Sequence, residues 1–158
     1  MSIDADAFRS ALGRFASGVT VVTTHARGGV DHGMTASAFC SVSLEPPLVL
    51  LCIEKIASVH DSIVACEHFA INILADSQEL LARRFAAVDG DRFEGVGFSR
   101  GAYSVPILDD VLAALECRRT TTYAGGDHSI IVGAVEAAKW RDDKPLLYYR
   151  GGYAGMER

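Results

Sequence analysis

Residues 33–47 read Gly33-Met34-Thr35-Ala36-Ser37-Ala38-Phe39-Cys40-Ser41-Val42-Ser43-Leu44-Glu45-Pro46-Pro47. Side chains alternate across a β-strand, so a strand here has two unlike faces. One carries Met34, Ala36, Ala38, Cys40 and Val42; the other carries Thr35, Ser37, Phe39, Ser41 and Ser43. A solvent-facing strand more often uses Lys, Glu or Thr, whose longer or branched side chains cover the sheet. A row of short hydroxyls around one aromatic ring suits a flat, polar molecule lying against the backbone. The alternative is an ordinary edge strand with small polar residues.

The neighbouring segments extend the β pattern on both sides. Upstream, Asp4 to Ala16 reads as a helix, capped by Asp4 or Asp6, with Phe8, Ala11, Leu12 and Phe15 along one face. Val19 to Thr24 is a β-branched run, and the Gly28-Gly29 turn makes it the hairpin partner of the 33–47 strand. Downstream, Pro46-Pro47 stops the strand, and the apolar run Leu48 to Ile53 predicts one buried on both faces or set in a barrel wall. Ser58 is placed as a helix N-cap, with Asp61 at the capping-box position and the helix ending near Cys66. Phe69 to Leu74 is a strand, and Asp76-Ser77 caps a third helix carrying Leu80, Leu81, Arg84 and Phe85 along one side. Asp89 to Pro106 is read as an ordered loop with little regular structure. Leu112–Tyr123 and Ser129–Trp140 pair through the turn Ala124 to His128, and Pro145–Tyr149 adds a strand before a Gly151-Gly152 tail.

Six or seven antiparallel strands with three short helices result. No βαβ alternation and no Gly-x-Gly-x-x-Gly after a strand is present, which disfavours a doubly wound dinucleotide fold. A closed or partly closed antiparallel β-barrel removes the edges of so many strands, and the chain is read as mainly β of that kind.

Composition narrows the function. The 158 residues fit one domain, 1–158, and 49% hydrophobic against 22% charged residues argues for a filled core. A net charge of −5 without a Lys/Arg run argues against nucleic acid or an anionic membrane as partner. No apolar run approaches a membrane span, and the N-terminus lacks a secretory core, so a cytoplasmic protein is expected. Cys40, Cys52, Cys66 and Cys117 lack Cys-x-x-Cys spacing and are expected to be buried free thiols; with scattered histidines, no metal site is expected.

Two further features bear on chemistry. Ser58 at a helix start, with Lys55 three residues before it, suits a phosphate; pattern alone favours a routine cap beside a solvated lysine, and the adjacent hydroxyl strand shifts the balance because both would line one cleft. His128, where the Gly125-Gly126-Asp127 turn re-enters a strand, is expected to be the most exposed histidine, with Asp127 able to orient its ring. A turn histidine without a role is the alternative. No Ser-His-Asp order or nucleophile elbow appears, so hydrolysis has no support.

Taken together, three motifs resemble a known family. They are Phe8-Arg9-x-Ala11-x-Gly13-x-Phe15-Ala16-x-Gly18-Val19-Thr20-Val21-Val22-Thr23, then Gly33 to Val49, and Gly126-Asp127-His128 with Pro145 to Gly151. The chain is similar to the short-chain flavin reductases, the reductase components of two-component flavin-dependent monooxygenases. The resemblance spans nearly the whole chain in order. It implies an FMN-binding split β-barrel of Greek-key type and a homodimer with flavin sites near the subunit interface. It also implies FMN or FAD as cofactor, NADH or NADPH as co-substrate and a monooxygenase receiving reduced flavin. A non-catalytic flavin carrier and a split-barrel oxidase using another flat cofactor are the rival readings.

The resemblance also assigns residues. Ser37, Ala38, Phe39, Cys40, Ser41 and Ser43 would bind flavin through backbone and hydroxyl groups. Cys52, Ile53 and Glu54 would pass along the ring system or ribityl chain, followed by Lys55, with Ser58 and Val59 by the phosphate. Arg84 and Phe85 would close over the flavin. His128 would sit near the nicotinamide as the catalytic-site positioning group, and Tyr149, Arg150, Gly151 and Tyr153 would hold the pyridine nucleotide. The segment Ile56-Ala57-Ser58-Val59-His60 carries fewer hydroxyls than the family usually has there.

Overall fold

The structure, a computed structural model, describes residues 1–157. In chain order the elements are helix α1 (Ala5–Leu12) and strands β1 (Ser17–Gly18), β2 (Thr20–His25), β3 (Asp31–Ala36), β4 (Phe39–Ser43) and β5 (Leu48–Glu54). Helix α2 (His60–Ala65), strand β6 (His68–Ile73), a 3₁₀ turn (Asp76–Gln78) and helix α3 (Glu79–Ala86) follow. The rest is β7 (Phe98–Arg100), β8 (Pro106–Leu108), β9 (Ala113–Gly125), β10 (His128–Trp140), β11 (Leu146–Tyr149) and β12 (Gly152–Gly155). The segment expected to be an irregular loop between Asp89 and Pro106 thus contains most of a short hairpin, β7–β8. The expected glycine tail returns as β12 against β11.

The main sheet has seven strands in the order β3-β2-β6-β9-β10-β5-β4, each neighbouring pair antiparallel. This order corrects the reading of residues 33–47 as one strand. β3 pairs only with β2 and β4 only with β5, so the two halves of the stretch form opposite edges of one sheet. The chain steps from one edge to the other through Ser37 and Ala38. Among the described residues no ladder joins β3 to β4, so the barrel is closed by covalent continuity and remains split there.

β2 is buried on both faces because the sheet is covered on both. Val22, Val49, Leu51, Ile53, Ile63, Phe69, Ile71 and Ile131 pack together in one core. Val21, Leu74, Phe85, Ile107 and Leu146 belong to a second core beneath α3 and β8. The threonines that alternate with the β2 valines find backbone partners: Thr20 Oγ1 donates to Ala36 O (2.6 Å) and Thr23 Oγ1 to Pro106 O (2.6 Å). Buried hydroxyls need such partners, since leaving one unpaired costs about 1–3 kcal/mol. Asn72 joins the layers, donating to Val21 O (2.9 Å) while its carbonyl accepts from Leu108 N–H (3.0 Å).

β5, expected to be buried on both faces or set in a barrel wall, is a wall strand with one face inward. Val49, Leu51 and Ile53 are buried, whereas Leu48, Leu50 and Cys52 are half-buried on the outward face. All four thiols are free, but only Cys66 and Cys117 are buried; Cys40 is exposed and Cys52 half-buried. Burial, then the nearby Glu116 carboxylate, pushes the Cys117 thiol up to about 12.

Candidate functional site

β4 is an edge strand of small residues with one side of its backbone unpaired. Such an edge presents N–H and C=O groups to whatever lies beside it. Where the chain crosses from β3, Phe39 N–H donates to Ser37 O and Cys52 N–H to Ala38 O, both at 2.9 Å. Ser37 and Ala38 are exposed at this crossing.

The single hydroxyl face expected along 33–47 is divided by the crossing and by a register shift. Thr35 Oγ1 is used in packing, donating to Ala82 O of α3 at 2.6 Å. Phe39 lies opposite Leu51 and packs on the barrel core. Ser41 lies opposite Val49, on the same face, yet is exposed at the rim. The shift between Ser41 and Ser43 then brings Ser43 opposite Leu48, on the outward face with Cys40. Ser37 and Ser41 are therefore the hydroxyls left along the edge.

β5 leads out of the barrel at Ile53 and Glu54 into a tight connection. Ala57 N–H donates to Glu54 O (3.0 Å), Lys55 N–H to Asp127 O (2.9 Å), and Ser58 is exposed while Val59 is buried. Ser58 is not the helix cap. Val59 holds that position with no side-chain cap bond, and Asp61 accepts from His60 instead of closing a capping box. The Ser58 hydroxyl is thereby left free to face a neighbouring cavity of about 160 Å³, whose lining includes His32, Gly33, Ser58, Arg92 and Phe93.

Arg84 and Phe85, expected to close over the flavin, are not among this cavity's lining residues and instead contact segments that line it. Phe85 is fully buried, and a Cβ on Gly33 would lie 2.8 Å from its ring, so the glycine is what lets β3 approach α3. Arg84 donates to the carbonyls of Arg92 (2.8 Å), Asp91 (3.2 Å) and Glu94, which fixes the 91–94 loop. Arg92 in turn donates to Gly33 O (2.7 Å) and Ala87 O (2.6 Å), pinning the loop to β3. Nothing in the sequence pattern singled out Arg92, because its partners are backbone carbonyls.

His128 stands opposite Glu54 in the β5–β10 ladder, beside the same connection. Its Nδ1 lies 2.7 Å from Asp127 Oδ1. A carboxylate only accepts, so Nδ1 carries the proton and Nε2 points away free. The His128 hydrogen bond holds the Asp127 carboxyl below the usual carboxylate range. The His128 side chain is 35% exposed, the same as that of His25, so it shares the most exposed place with His25 among the histidine side chains in ion pairs.

The tail residues form a separate group. Tyr149, Arg150 and Gly151 make the β11–β12 turn, with Arg150 at φ 51° and Gly151 at φ 78°. Arg150 N–H donates to Gly13 O (3.0 Å), which ties the turn to the end of α1. Tyr153 packs edge-on to Tyr148 at 5.5 Å, and Arg83 lies 5.0 Å above its ring. Among the described residues no hydrogen bond or ring contact joins this hairpin to His128 within the chain. A larger cavity of about 550 Å³, lined by His25, Cys66, His68 and Tyr103 among others, contains none of the expected site residues. Most of the expected flavin residues lie instead along the β4 edge and the Lys55–Val59 connection.

The free β4 edge with its two unclaimed serines, and the cavity lined by Ser58, Arg92, Asp31 and Asp91 among others, are the two places near this connection that offer polar groups to a ligand. The flavin reductase like domain model matches residues 12–157. The chain is 37% identical over 158 residues to the flavin-dependent monooxygenase reductase subunit HsaB of Mycobacterium tuberculosis, covering 98% of this chain and 84% of that one. It is 42% identical over 156 residues to a flavin reductase (NADH) of Kitasatospora aureofaciens, covering 96% and 82%. Among solved structures it superposes with TM-score 0.90 and 37% identity on the Streptomyces globisporus NADH:FAD oxidoreductase SgcE6 in complex with NAD and FAD fragments, covering 98% of this chain and 95% of that one. The fold is that of the split-barrel flavin reductases, and the chain belongs to the flavin reductase-like domain family.

Proposed function

We propose that this protein is an NADH-dependent flavin reductase that binds FMN or FAD along the β4 edge and supplies reduced flavin to a monooxygenase. The observation that carries the reading is the convergence of three features in a chain of this family. They are the free β4 edge, the Lys55–Val59 connection and the His128 turn. Backbone groups of Ser37 to Ser41 would hold the ring system edge-on, with the Ser37 and Ser41 hydroxyls beside them. Glu54 and Lys55 would flank the ribityl chain, and Ser58 with the 90–93 loop would take the phosphate. When bound, the flavin supplies the hydride acceptor for the nicotinamide. The chain's task is to hold the two rings in contact and to exclude water, because orientation is worth several kcal/mol of barrier. Unpaired N–H groups of the β4 edge would stabilise negative charge that develops on the ligand beside them.

His128 is a positioning group in this account, its tautomer set by Asp127 and its Nε2 turned to the nicotinamide. His128→Ala is expected to raise KM for NADH about tenfold while lowering kcat less than threefold, a binding loss of the size of one polar contact. Steady-state NADH oxidation with FMN and with FAD checks this. A collapsed kcat at unchanged KM would remove His128 from that position.

The tail hairpin and His128 would be completed as one nicotinamide site by a second copy of the chain. We further infer a homodimer, supported by α1, none of whose residues is buried. Free thiols at Cys40 and Cys52 are consistent with a reducing cytoplasm.

A further inference from the structure

The connection from β5 to α2 and the turn from β9 to β10 are fastened to each other at both ends. At one end Lys55 N–H donates to Asp127 O at 2.9 Å. At the other, His60 Nε2 lies 2.8 Å from Ser129 Oγ, two groups 69 residues apart in sequence. His60 Nδ1 lies 2.8 Å from Asp61 Oδ1. The carboxylate fixes the proton on Nδ1, so in the neutral ring Nε2 accepts from the Ser129 hydroxyl.

This bond is the described side-chain tie between the connection and the turn; Val59, 4% exposed in the barrel core, and the end of the β5–β10 ladder also hold the segment. Ser129 is 7% exposed and His60 is its hydroxyl's one described partner. The first turn of α2 has no side-chain cap; His60 N–H donates to Ala57 O (3.0 Å) and Ile63 N–H to Val59 O (3.1 Å). Ser58 precedes His60 by two residues and His128 precedes Ser129 by one. The Ser58 and His128 ends are thus joined by one side-chain pair in addition to the Lys55–Asp127 backbone bond and the Glu54–His128 end of the β5–β10 ladder.

We propose that His60 is a positioning residue for flavin reduction: through Ser129 it locks the Ser58 connection to the His128 turn, so that flavin and nicotinamide are bound by one rigid unit. The proposal rests on the reductase reading above. Without the bond, the Ser58 end keeps its backbone ties and the Val59 anchor but loses its side-chain link to the His128 turn, and holding the two in register at binding then weakens both affinities together. Asp61 is fully exposed and orients the ring without carrying the load.

Flavin dissociation constants and NADH steady-state constants test this for wild type, His60→Ala, Ser129→Ala, the double variant and His60→Gln. Each alanine variant is expected to raise flavin Kd and NADH KM together by about five- to tenfold, the size of one part-buried hydrogen bond, with kcat changed less. The double variant is expected to be no worse than either single one, because both remove the same bond. The glutamine amide reaches Ser129 and is expected to restore both constants to within about twofold of wild type. Unchanged constants in the alanine variants, additive losses, or a glutamine variant as impaired as alanine would each overturn the proposal. Should the alanine variants fail to fold, the glutamine variant decides alone: wild-type constants support the role and a five- to tenfold loss overturns it. An inactive wild type that binds no flavin would remove the reductase reading, and this role with it. An active wild type with insensitive variants would remove this role alone.

Discussion

Asp31 shows how a single side chain can hold the hairpin end that borders the candidate groove. Its carboxylate takes two bonds from Arg100, at 2.6 and 2.7 Å, and one from His25 at 2.7 Å. Burial pushes this carboxyl up, but Arg100 and His25 together outweigh burial and hold it below the usual carboxylate range. A carboxyl lowered by folding stabilises the protein above its unfolded pKa of about 3.9, and that contribution disappears as pH falls through the lower folded value. Asp31→Asn is therefore expected to cost on the order of 1 kcal/mol at about pH 7, a modest figure because Arg100 is partly exposed. The gap between variant and wild type should narrow below about pH 4. Thermal melts at both pH values read this directly, and a pH-independent gap would contradict it. Asp31 was invisible as a partner of Arg100 in sequence, since their pairing depends on β7, a strand with no clear pattern of its own.

At the scale of elements, α1 asks for a partner. Asp4 caps it, accepting from Asp6 N–H at 2.7 Å, and the helix then presents Phe8 and Leu12 to solvent, followed by Phe15 at 80% exposed. Apolar faces of this kind are covered in a stable protein. The outward face of β4 and β5 adds Val42, and the loop after it adds Leu44 at 91% exposed. Light scattering is expected to give twice the 16.9 kDa chain mass, and Phe15→Asp to shift the population toward monomer. A monomeric wild type would contradict the inferred dimer. Strong periodicity made α1, β2, β5, β9 and β10 legible from the sequence. The capping of α2 was misplaced by one residue because a serine at Ser58 looks like a cap whether or not its hydroxyl is used. The β7–β8 hairpin was missed because three-residue strands leave no period to read.

For the whole molecule, the informative difference lies in residues 33–47. Alternation identified β structure correctly, and it identified a row of hydroxyls beside an aromatic ring. It did not show that the row spans two edges of one sheet, because closure is a property of seven strands and not of one. The crossing at Ser37–Ala38 follows from that arrangement, while a register shift against β5 turns Ser43 outward and a contact with α3 uses Thr35. What remains of the row is short, and it lies where the barrel is split. The central claim is that this edge, with Ser41 at its rim, is the flavin-binding groove. Flavin titration of wild type against Ser41→Leu, alongside thermal melts and NADH oxidation, tests it most directly. Wild type is expected to bind FMN or FAD and to oxidise NADH. Ser41→Leu is expected to melt within a few degrees of wild type, as an exposed site should, while losing flavin affinity at least about tenfold through blockage of the edge. Retained flavin affinity in a folded Ser41→Leu protein would contradict the claim.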